Sequence, residues 1–476
     1  MDLRYGIRMQ LGVIGLGTMG ANLARNAASR GATVAVYNRT TSRTDEFMKA
    51  HGSEAKFIAC HTLHELKAAL RPPRPILLMV KAGRPVEDVI AELLPVMDKG
   101  DIFIDAGNSL YSDTERREQE LKQKGFHFFG MGVSGGEEGA LRGPSMMPGG
   151  DLDAYKTMEG LLKQMSADDG AGGKCVAHIG PGGAGHFVKM VHNGIEYGFM
   201  QLIAEVYDVL RRTGRLTNEE LAALFGEWSK GADIGSFLLE ITAAIFRKKD
   251  DKTGGDLIDS IADAAGQKGT GKWTTEAAMT LGVAIPTINA AVDARILSGD
   301  KQMRQRGKRH VLEALPLHAD PREVAILCRS ALELSVLCSY IQGFSLIHAA
   351  SGEYGWELDL SEIARIWRGG CIIRSVMLPT FQRLFSKDSS SGEKELGRRF
   401  AGKRQQHWRQ FLCVASSAGV PVAAHAASLS YFDAQRSDRL PTNLIQAQRD
   451  FFGAHTYQRI DTEGTFHTEW RIENGE

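Results

Sequence analysis

The chain has 476 residues, 43% of them hydrophobic and 24% charged, which is enough apolar material for two or three globular domains. Its 57 basic and 57 acidic side chains cancel, which argues against a general affinity for nucleic acid or anionic membrane and leaves room for a local basic pocket. The six cysteines are scattered with no C-x-x-C pair, so the pattern fits reduced thiols, and neither a disulfide framework nor a metal site is expected.

The first ten residues carry Asp2, Arg4 and Arg8 and no apolar core segment. Neither a signal nor a transit peptide is therefore expected, and the location expected is cytoplasmic. No run approaches ~18–20 consecutive apolar residues, so no membrane span is predicted. Short runs rich in Val and Ile at 11–15, 33–37, 75–80 and 101–105 read as strands. Helical stretches at 20–30, 43–49 and 86–97 lie between them. This alternation predicts an α/β, Rossmann-type doubly wound domain with helices on both faces of a parallel sheet. The domain is taken as residues 1–185, closing on a glycine-dense stretch at 170–185.

From residue 186 onward helical spacing dominates: 186–210, 218–229, 238–248, 256–265, 274–280, 285–297, 323–351, 360–371 and 403–418. The second domain, 186–445, is therefore large and mainly α. The patch DSSSGE at 388–393 reads as a solvated loop. The tail, 446–476, mixes aromatic, His and charged residues and lacks helical periodicity from about Phe451 on. Such a segment cannot bury itself alone, so it is expected to pack on something else, a partner subunit being one option.

Gly15-Leu16-Gly17-Thr18-Met19-Gly20 is a G-x-G-x-x-G placed after a strand and at the head of a helix. The glycines allow a tight turn and let backbone N–H groups approach a pyrophosphate, whose charge the helix N-terminus favours. The second strand ends in Tyr37-Asn38-Arg39-Thr40, with no carboxylate for a ribose 2′-hydroxyl. A guanidinium there pairs with a 2′-phosphate and stacks on adenine, which points to NADP.

The segment 185–210 is strongly apolar, yet Lys189, His192, Asn193, Glu196 and Tyr197 share one helical face. His, Asn and Tyr are poor choices for a merely soluble stripe, and a glycine-rich loop precedes them, so this face is read as a site. Further polar islands are DAGNS at 105–109, after a strand, and VSGGEEG at 133–139, rich in backbone N–H groups suited to a carboxylate. AGQKGTGKW at 265–273 is a basic loop suited to a phosphate; it lacks the P-loop pattern and is expected to precede no suitable helix. Arg295, Arg449 and His455 complete a set of anion-binding candidates. Together they point to an anionic, phosphorylated substrate.

These motifs, with VKAG (80–83), MPGG (147–150), RGGCIIRS (368–375) and IQAQRDFFGAHTY (445–457), resemble in order and over nearly the whole chain those of the decarboxylating 6-phosphogluconate dehydrogenase family. The resemblance implies an all-helical second domain and a homodimer whose tails cross between subunits. It implies catalytic roles for Lys189 and Glu196. Substrate carboxylate and hydroxyl contacts fall on Asn108, Ser134, Gly135, Gly136, His192 and Asn193. Phosphate contacts fall on Tyr197, Lys268, Thr270, Arg295 and Arg449 of the partner subunit, alongside His455 of the partner subunit. NADP contacts fall on Gly15, Leu16, Gly17, Thr18, Met19, Gly20, Asn38, Arg39, Thr40, Val80, Lys81, Ala82 and Asn108. One departure is Phe199, where the family commonly has Asp. The implied reaction is oxidation and decarboxylation of 6-phosphogluconate to ribulose 5-phosphate. The alternative is a non-decarboxylating β-hydroxyacid dehydrogenase, which shares the nucleotide fold and the lysine but lacks the 265–273 loop and the tail.

Overall fold

The computed structural model describes residues 9–310 and 319–470. The reading of the extreme N-terminus, residues 1–8, lies outside them. The chain opens with β1 (Gln10–Ile14), α1 (Thr18–Ser29), β2 (Thr33–Tyr37), α2 (Thr41–His51), β3 (Phe57–Cys60) and α3 (Leu63–Ala69). It continues with β4 (Pro75–Leu78), α4 (Arg84–Leu93), β5 (Ile102–Asp105), α5 (Tyr111–Gln123), β6 (His127–Ser134), α6 (Gly136–Arg142), β7 (Ser145–Gly150) and α7 (Leu152–Met165). The strands form one sheet in the order β3-β2-β1-β4-β5-β6-β7. All pairs are parallel except β6–β7.

Both faces of this sheet are covered, which is why its strands read as continuous apolar runs. Val13 and Ile104 point into one apolar cluster, shared with α1 and α7. Their neighbours Ile14 and Phe103 point into the other, shared with α4 and α5. The strand order reverses between β1 and β4, and the carboxyl ends of strands at such a switch point are where doubly wound sheets bind ligands.

The helical part begins with α8 (Ala184–Arg212), followed by α9 (Asn218–Trp228), α10 (Phe237–Arg247), α11 (Leu257–Ser260), α12 (Thr270–Thr280), α13 (Pro286–Gly299) and α14 (Lys301–His310). Next come α15 (Pro321–Glu353), α16 (Leu360–Ile366), α17 (Leu378–Leu384), α18 (Ser390–Arg399), α19 (Lys403–Ser417), α20 (Ala423–Gln435) and α21 (Thr442–Gly453). Helix α15 is long and apolar enough to cross a membrane, but 72% of its most apolar window is buried against protein. It is a core helix, packed on α8 and α19.

Several local expectations need correcting; α11, for one, stops at Ser260, short of the expected residue 265. Helix α18 starts inside the stretch read as a solvated loop. Helix α12 starts at Thr270, within the basic loop that was expected to precede no helix, because Gly269 adopts a left-handed conformation and turns the chain into it. Helix α16 stops at Ile366, short of the expected residue 371, where the glycine pair follows and Gly370 takes a positive φ of 63°.

Contacts divide the chain into two compact units, one ending at Ser428 and one running from Leu429. Within the first unit α8 lies directly on β6 and β7. The second unit begins earlier than the expected tail, within α20.

Inside the second unit the organising group is Asp450 of α21. Its buried carboxylate accepts from Thr456 N (2.9 Å), Thr468 N (3.0 Å), Trp470 Nε1 (2.7 Å) and His467 Nδ1 (2.9 Å). Desolvation alone would raise this carboxyl, but His467, Trp470 and the two amides outweigh it and hold it well below the usual carboxylate range. A group depressed in this way stabilises the fold above its ordinary value, and the contribution is lost as pH falls through the depressed one. Asp450→Asn should therefore speed amide hydrogen exchange at Thr456 and Thr468 while leaving exchange in β1–β7 unchanged. Equal exchange in the variant and the parent would refute this role.

Candidate active site

Two cavities open along the carboxyl side of the sheet. The first, of about 360 Å³, is lined by Gly15, Gly17, Tyr37, Asn38, Arg39, Thr40, Val80, Lys81 and neighbouring residues. Its floor is the turn from β1 into α1. A Cβ on Gly20 would lie 1.9 Å from the Gly15 carbonyl oxygen, so only glycine lets the helix start so close to the strand. Gly17, by contrast, faces open space, leaving room for a pyrophosphate. Asn38 ties the second strand to this turn by accepting from Leu16 N at 3.1 Å. Arg39 is exposed at the cavity edge and makes no ion pair among the described residues. An unneutralised guanidinium at this position suits a 2′-phosphate. Leu16, Thr18, Gly20 and Ala82, also expected to touch the cofactor, do not line the cavity.

The second cavity, of about 670 Å³, is lined by Asn108, Ser134, Gly135, Gly136, Lys189, Asn193, Glu196, Tyr197, Lys268, Thr270 and Arg295. Residues far apart in sequence thus line one cavity. Met19, from the first turn of α1, also lines it and so adjoins the nucleotide turn. His192 is fully buried beneath the wall. Arg449 and His455 belong to the second unit, where both are exposed and Arg449 donates to Gln446 Oε1 at 3.1 Å.

What places Lys189 is the contact of α8 with the sheet. A Cβ on Gly132 of β6 would sit 2.3 Å from Lys189 Cβ, and one on Gly185 of α8 would sit 2.3 Å from the Met147 carbonyl oxygen. Backbone therefore packs on backbone, and Lys189 is only 6% exposed. Its Nζ donates to Asn193 Oδ1 at 2.7 Å and lies 3.5 Å from His192 Nδ1. His192 Nε2 lies 3.1 Å from Ser134 Oγ, which also accepts from Ile372 N at 3.4 Å. These bonds agree with a neutral imidazole protonated on Nδ1, facing Asn193 Oδ1 at 3.2 Å and accepting the Ser134 proton on Nε2.

Burial sets the protonation states. It pushes the Lys189 amine down, against the pull of Glu196, and pushes His192 well below its ordinary value, with Lys189 adding to the effect. The Glu196 side chain keeps 22% of its surface open. Protein still crowds its carboxyl enough to raise it, with Lys189 and Arg295 opposing. A base favoured neutral and an acid favoured protonated thus face one cavity, the arrangement expected where an enzyme moves protons near neutrality.

The far end of the cavity is cationic. The Arg295 guanidinium lies over the Tyr197 ring, 3.4 Å from its centroid, and donates to Gly266 O at 3.2 Å. Thr270 opens α12, whose free N–H groups together with Lys268 suit a phosphate. Val133, Gly266, Gln267 and Ile372, which lie in the quoted motifs but have no individual role in the sequence reading, also line the cavity, as does Met200. Apolar side chains and plain loop residues carry no chemical signal of their own. Phe199 is fully buried away from the cavity.

Comparison with known proteins adds a family. A family model described as the NAD binding domain of 6-phosphogluconate dehydrogenase matches residues 10–180, and one described as its C-terminal domain matches residues 185–470. A decarboxylating 6-phosphogluconate dehydrogenase from Synechococcus elongatus is 50% identical over 97% of this chain and 99% of its own length. An NADP(+)-dependent, decarboxylating one from Bacillus subtilis is 48% identical over 97% of this chain and 99% of its own. A solved Plasmodium falciparum 6-phosphogluconate dehydrogenase, studied with its cofactor NADP+ and with its substrate 6-phosphogluconate, superposes with a TM-score of 0.91. It is 42% identical and covers 97% of this chain and all of its own.

The nucleotide cavity yields one expected outcome. Arg39→Asp should weaken binding of a 2′-phosphorylated dinucleotide about 10- to 100-fold and leave its unphosphorylated counterpart within a few fold. Titration calorimetry with both would show this, and unchanged affinity for the phosphorylated form would remove Arg39 from the role.

Proposed function

Since the chain belongs to the 6-phosphogluconate dehydrogenase family, we propose how its own residues carry that reaction. The enzyme oxidises and decarboxylates 6-phospho-D-gluconate to D-ribulose 5-phosphate with reduction of NADP, a step of the pentose phosphate pathway. The strong similarity to decarboxylating relatives sets aside the non-decarboxylating alternative. Bound NADP supplies the hydride acceptor; Gly15, Gly17, Asn38, Arg39, Thr40, Val80 and Lys81 are the residues that would hold it.

The observation that carries the assignment is the buried Lys189 amine facing the same cavity as the Glu196 carboxyl. Lys189, neutral at the outset, takes the proton of the C3 hydroxyl as C3–H leaves as hydride. C3 becomes a ketone β to the carboxylate. Lys189, now an ammonium, donates to that ketone oxygen, so the electrons of the breaking bond to carbon dioxide settle into an enediol. Glu196 then protonates the carbon that bore the carboxylate. Asn108, Ser134, Gly135, Gly136, His192 and Asn193 orient the carboxylate and hydroxyls, and Tyr197, Lys268, Thr270 and Arg295 hold the phosphate. His192, neutral and bonded to Ser134, stays out of the proton transfer, and burial alone favours the free amine of Lys189.

The same proposal takes the chain as a homodimer. Leu444, Ile445, Phe451 and Phe452 of the second unit are 61%, 56%, 64% and 72% exposed, more apolar surface than so short a segment keeps in water without a partner. It reads 446–476 as a tail bringing Arg449 and His455 to the partner's site, and 1–185 and 186–445 as cofactor and substrate domains. The free cysteines fit a cytoplasmic location.

Purified protein given 6-phosphogluconate and NADP should release carbon dioxide in step with NADPH; NADPH without carbon dioxide would sink the reading. Lys189→Ala should lower kcat at least about 1,000-fold with NADP affinity kept within a few fold, and retained turnover would exclude Lys189 as the base. Glu196→Gln removes a carboxylate that favours the ammonium form of Lys189. The amine then falls further, so the acid limb of the single-turnover oxidation rate should move to lower pH. A limb that stays put or moves up would refute the coupling.

A further inference from the structure

Arg117 carries a charge that the chemistry above does not use, yet its side chain is only 1% exposed. It projects from α5 between two loops. Toward one, its Nη1 donates to Asp105 Oδ2 at 3.3 Å, at the end of β5. Toward the other, its Nε donates to Glu87 Oε1 at 2.9 Å and its Nη2 to the Gly83 carbonyl at 3.5 Å, where the 80–83 loop enters α4. Asp113, one turn back on α5, lies 3.8 Å away. Burial would raise the Glu87 carboxyl, but Arg116 and Arg117 hold it below its ordinary value.

The Asp105 carboxylate passes this constraint on. Oδ1 accepts from Gly107 N at 3.1 Å and Oδ2 from Ser109 Oγ at 2.6 Å. Gly107 and Ser109 are buried, and Asn108 between them is exposed into the substrate cavity. Both neighbours of Asn108 are thus pinned by one carboxylate, itself held by Arg117. Gly107 also abuts the other loop: a Cβ there would lie 3.0 Å from the Val80 carbonyl oxygen. Val80 and Lys81 line the dinucleotide cavity. Stabilisation alone accounts poorly for such a group, since a buried ion pair often adds no more stability than well-packed apolar residues of similar volume.

We infer that Arg117 is a positioning residue for hydride transfer: through Asp105 and Gly83 it fixes the substrate-side Asn108 against the cofactor-side 80–83 loop. The inference rests on the placement of Asn108 at the substrate made above. Lysine retains the charge but cannot span both loops with one planar fork.

Arg117→Lys should therefore lower kcat about 10- to 100-fold, the scale of a misplacement of roughly 1 Å between reacting groups. It should also weaken 6-phosphogluconate binding several-fold by calorimetry, and leave 2′,5′-ADP, which reaches only the Arg39 end, within about twofold. Combined with Asn108→Ala it should cost no more kcat than Asn108→Ala alone, because it acts through that residue. Wild-type kcat in Arg117→Lys, or losses that multiply in the double variant, would overturn the inference. So would equal weakening of 2′,5′-ADP and substrate, which marks a merely structural role. Should Arg117→Lys not fold, Ser109→Ala cuts the same linkage at one bond and must show the same split in smaller measure; wild-type kinetics there would overturn the inference as well. Wild-type behaviour of Asn108→Ala would instead strike at the substrate assignment of Asn108, and is read separately.

Discussion

The contact between α8 and the strands β6 and β7 is the constraint on which the site depends. At Gly132 and Gly185 the added Cβ would meet atoms at 2.3 Å, so these elements touch through backbone. Side chains at those positions would lift α8 off the sheet and open Lys189 to water. An exposed lysine would be an ordinary ammonium, with no capacity to take a proton near neutrality. The close approach removes water from the amine and leaves Asn193 as its hydrogen-bond partner. Burying an ionisable group is costly, and here the cost takes the form of a depressed pKa, which is the property the chemistry needs.

That same burial divides labour between neighbours on one helix. Lys189 and Glu196 lie seven residues apart, two turns of α8, and face one cavity. Desolvation drives the amine and the carboxyl in opposite directions, each toward its neutral form. Their mutual attraction opposes this, and the open side of Glu196 is where the balance is adjustable. His192, neutral and bonded to Ser134, fills the wall between sheet and helix without adding a competing charge. At the other end Arg295, Lys268 and the start of α12 supply positive potential for a phosphate, so the cavity is polarised along its length.

The frame around this chemistry is layered. The switch point between β1 and β4 places the nucleotide turn, β5 places the Asn108 loop, and α8 packs on β6 and β7. Arg117 joins the Asn108 loop to the 80–83 loop after β4 by a single guanidinium. Local accuracy at the reacting atoms therefore rests on groups one layer away from them, held by buried ionic contacts and glycine-permitted approaches.

Much of this was legible in the sequence, for physical reasons that differ by element. Strands β1, β2, β4 and β5 announce themselves because a sheet buried on both faces demands apolar runs. The glycine turn and the absence of a carboxylate after β2 marked a nucleotide site and its preference for a 2′-phosphate. Helical spacing put Lys189, His192, Asn193, Glu196 and Tyr197 on one face. Strands β3, β6 and β7 were missed: the glycines of β6 and β7 and Pro148 are poor strand formers, and these two extend because β6 pairs with both β5 and β7 and the pair underlies α8. The start of α12 was hidden for a similar reason, since Gly269 reads as a loop residue until its left-handed conformation is seen.

The sequence by itself determined which chemical groups exist and at what helical or strand spacing, because periodicity and residue type are local properties. Only the tertiary structure decided which amine is stripped of water, which imidazole lies beneath the wall, and which arginine bridges two loops. Those outcomes depend on long-range contacts, such as Gly132 with Lys189 and Asp105 with Arg117, and desolvation is set by what packs around a group, not by its neighbours in the chain.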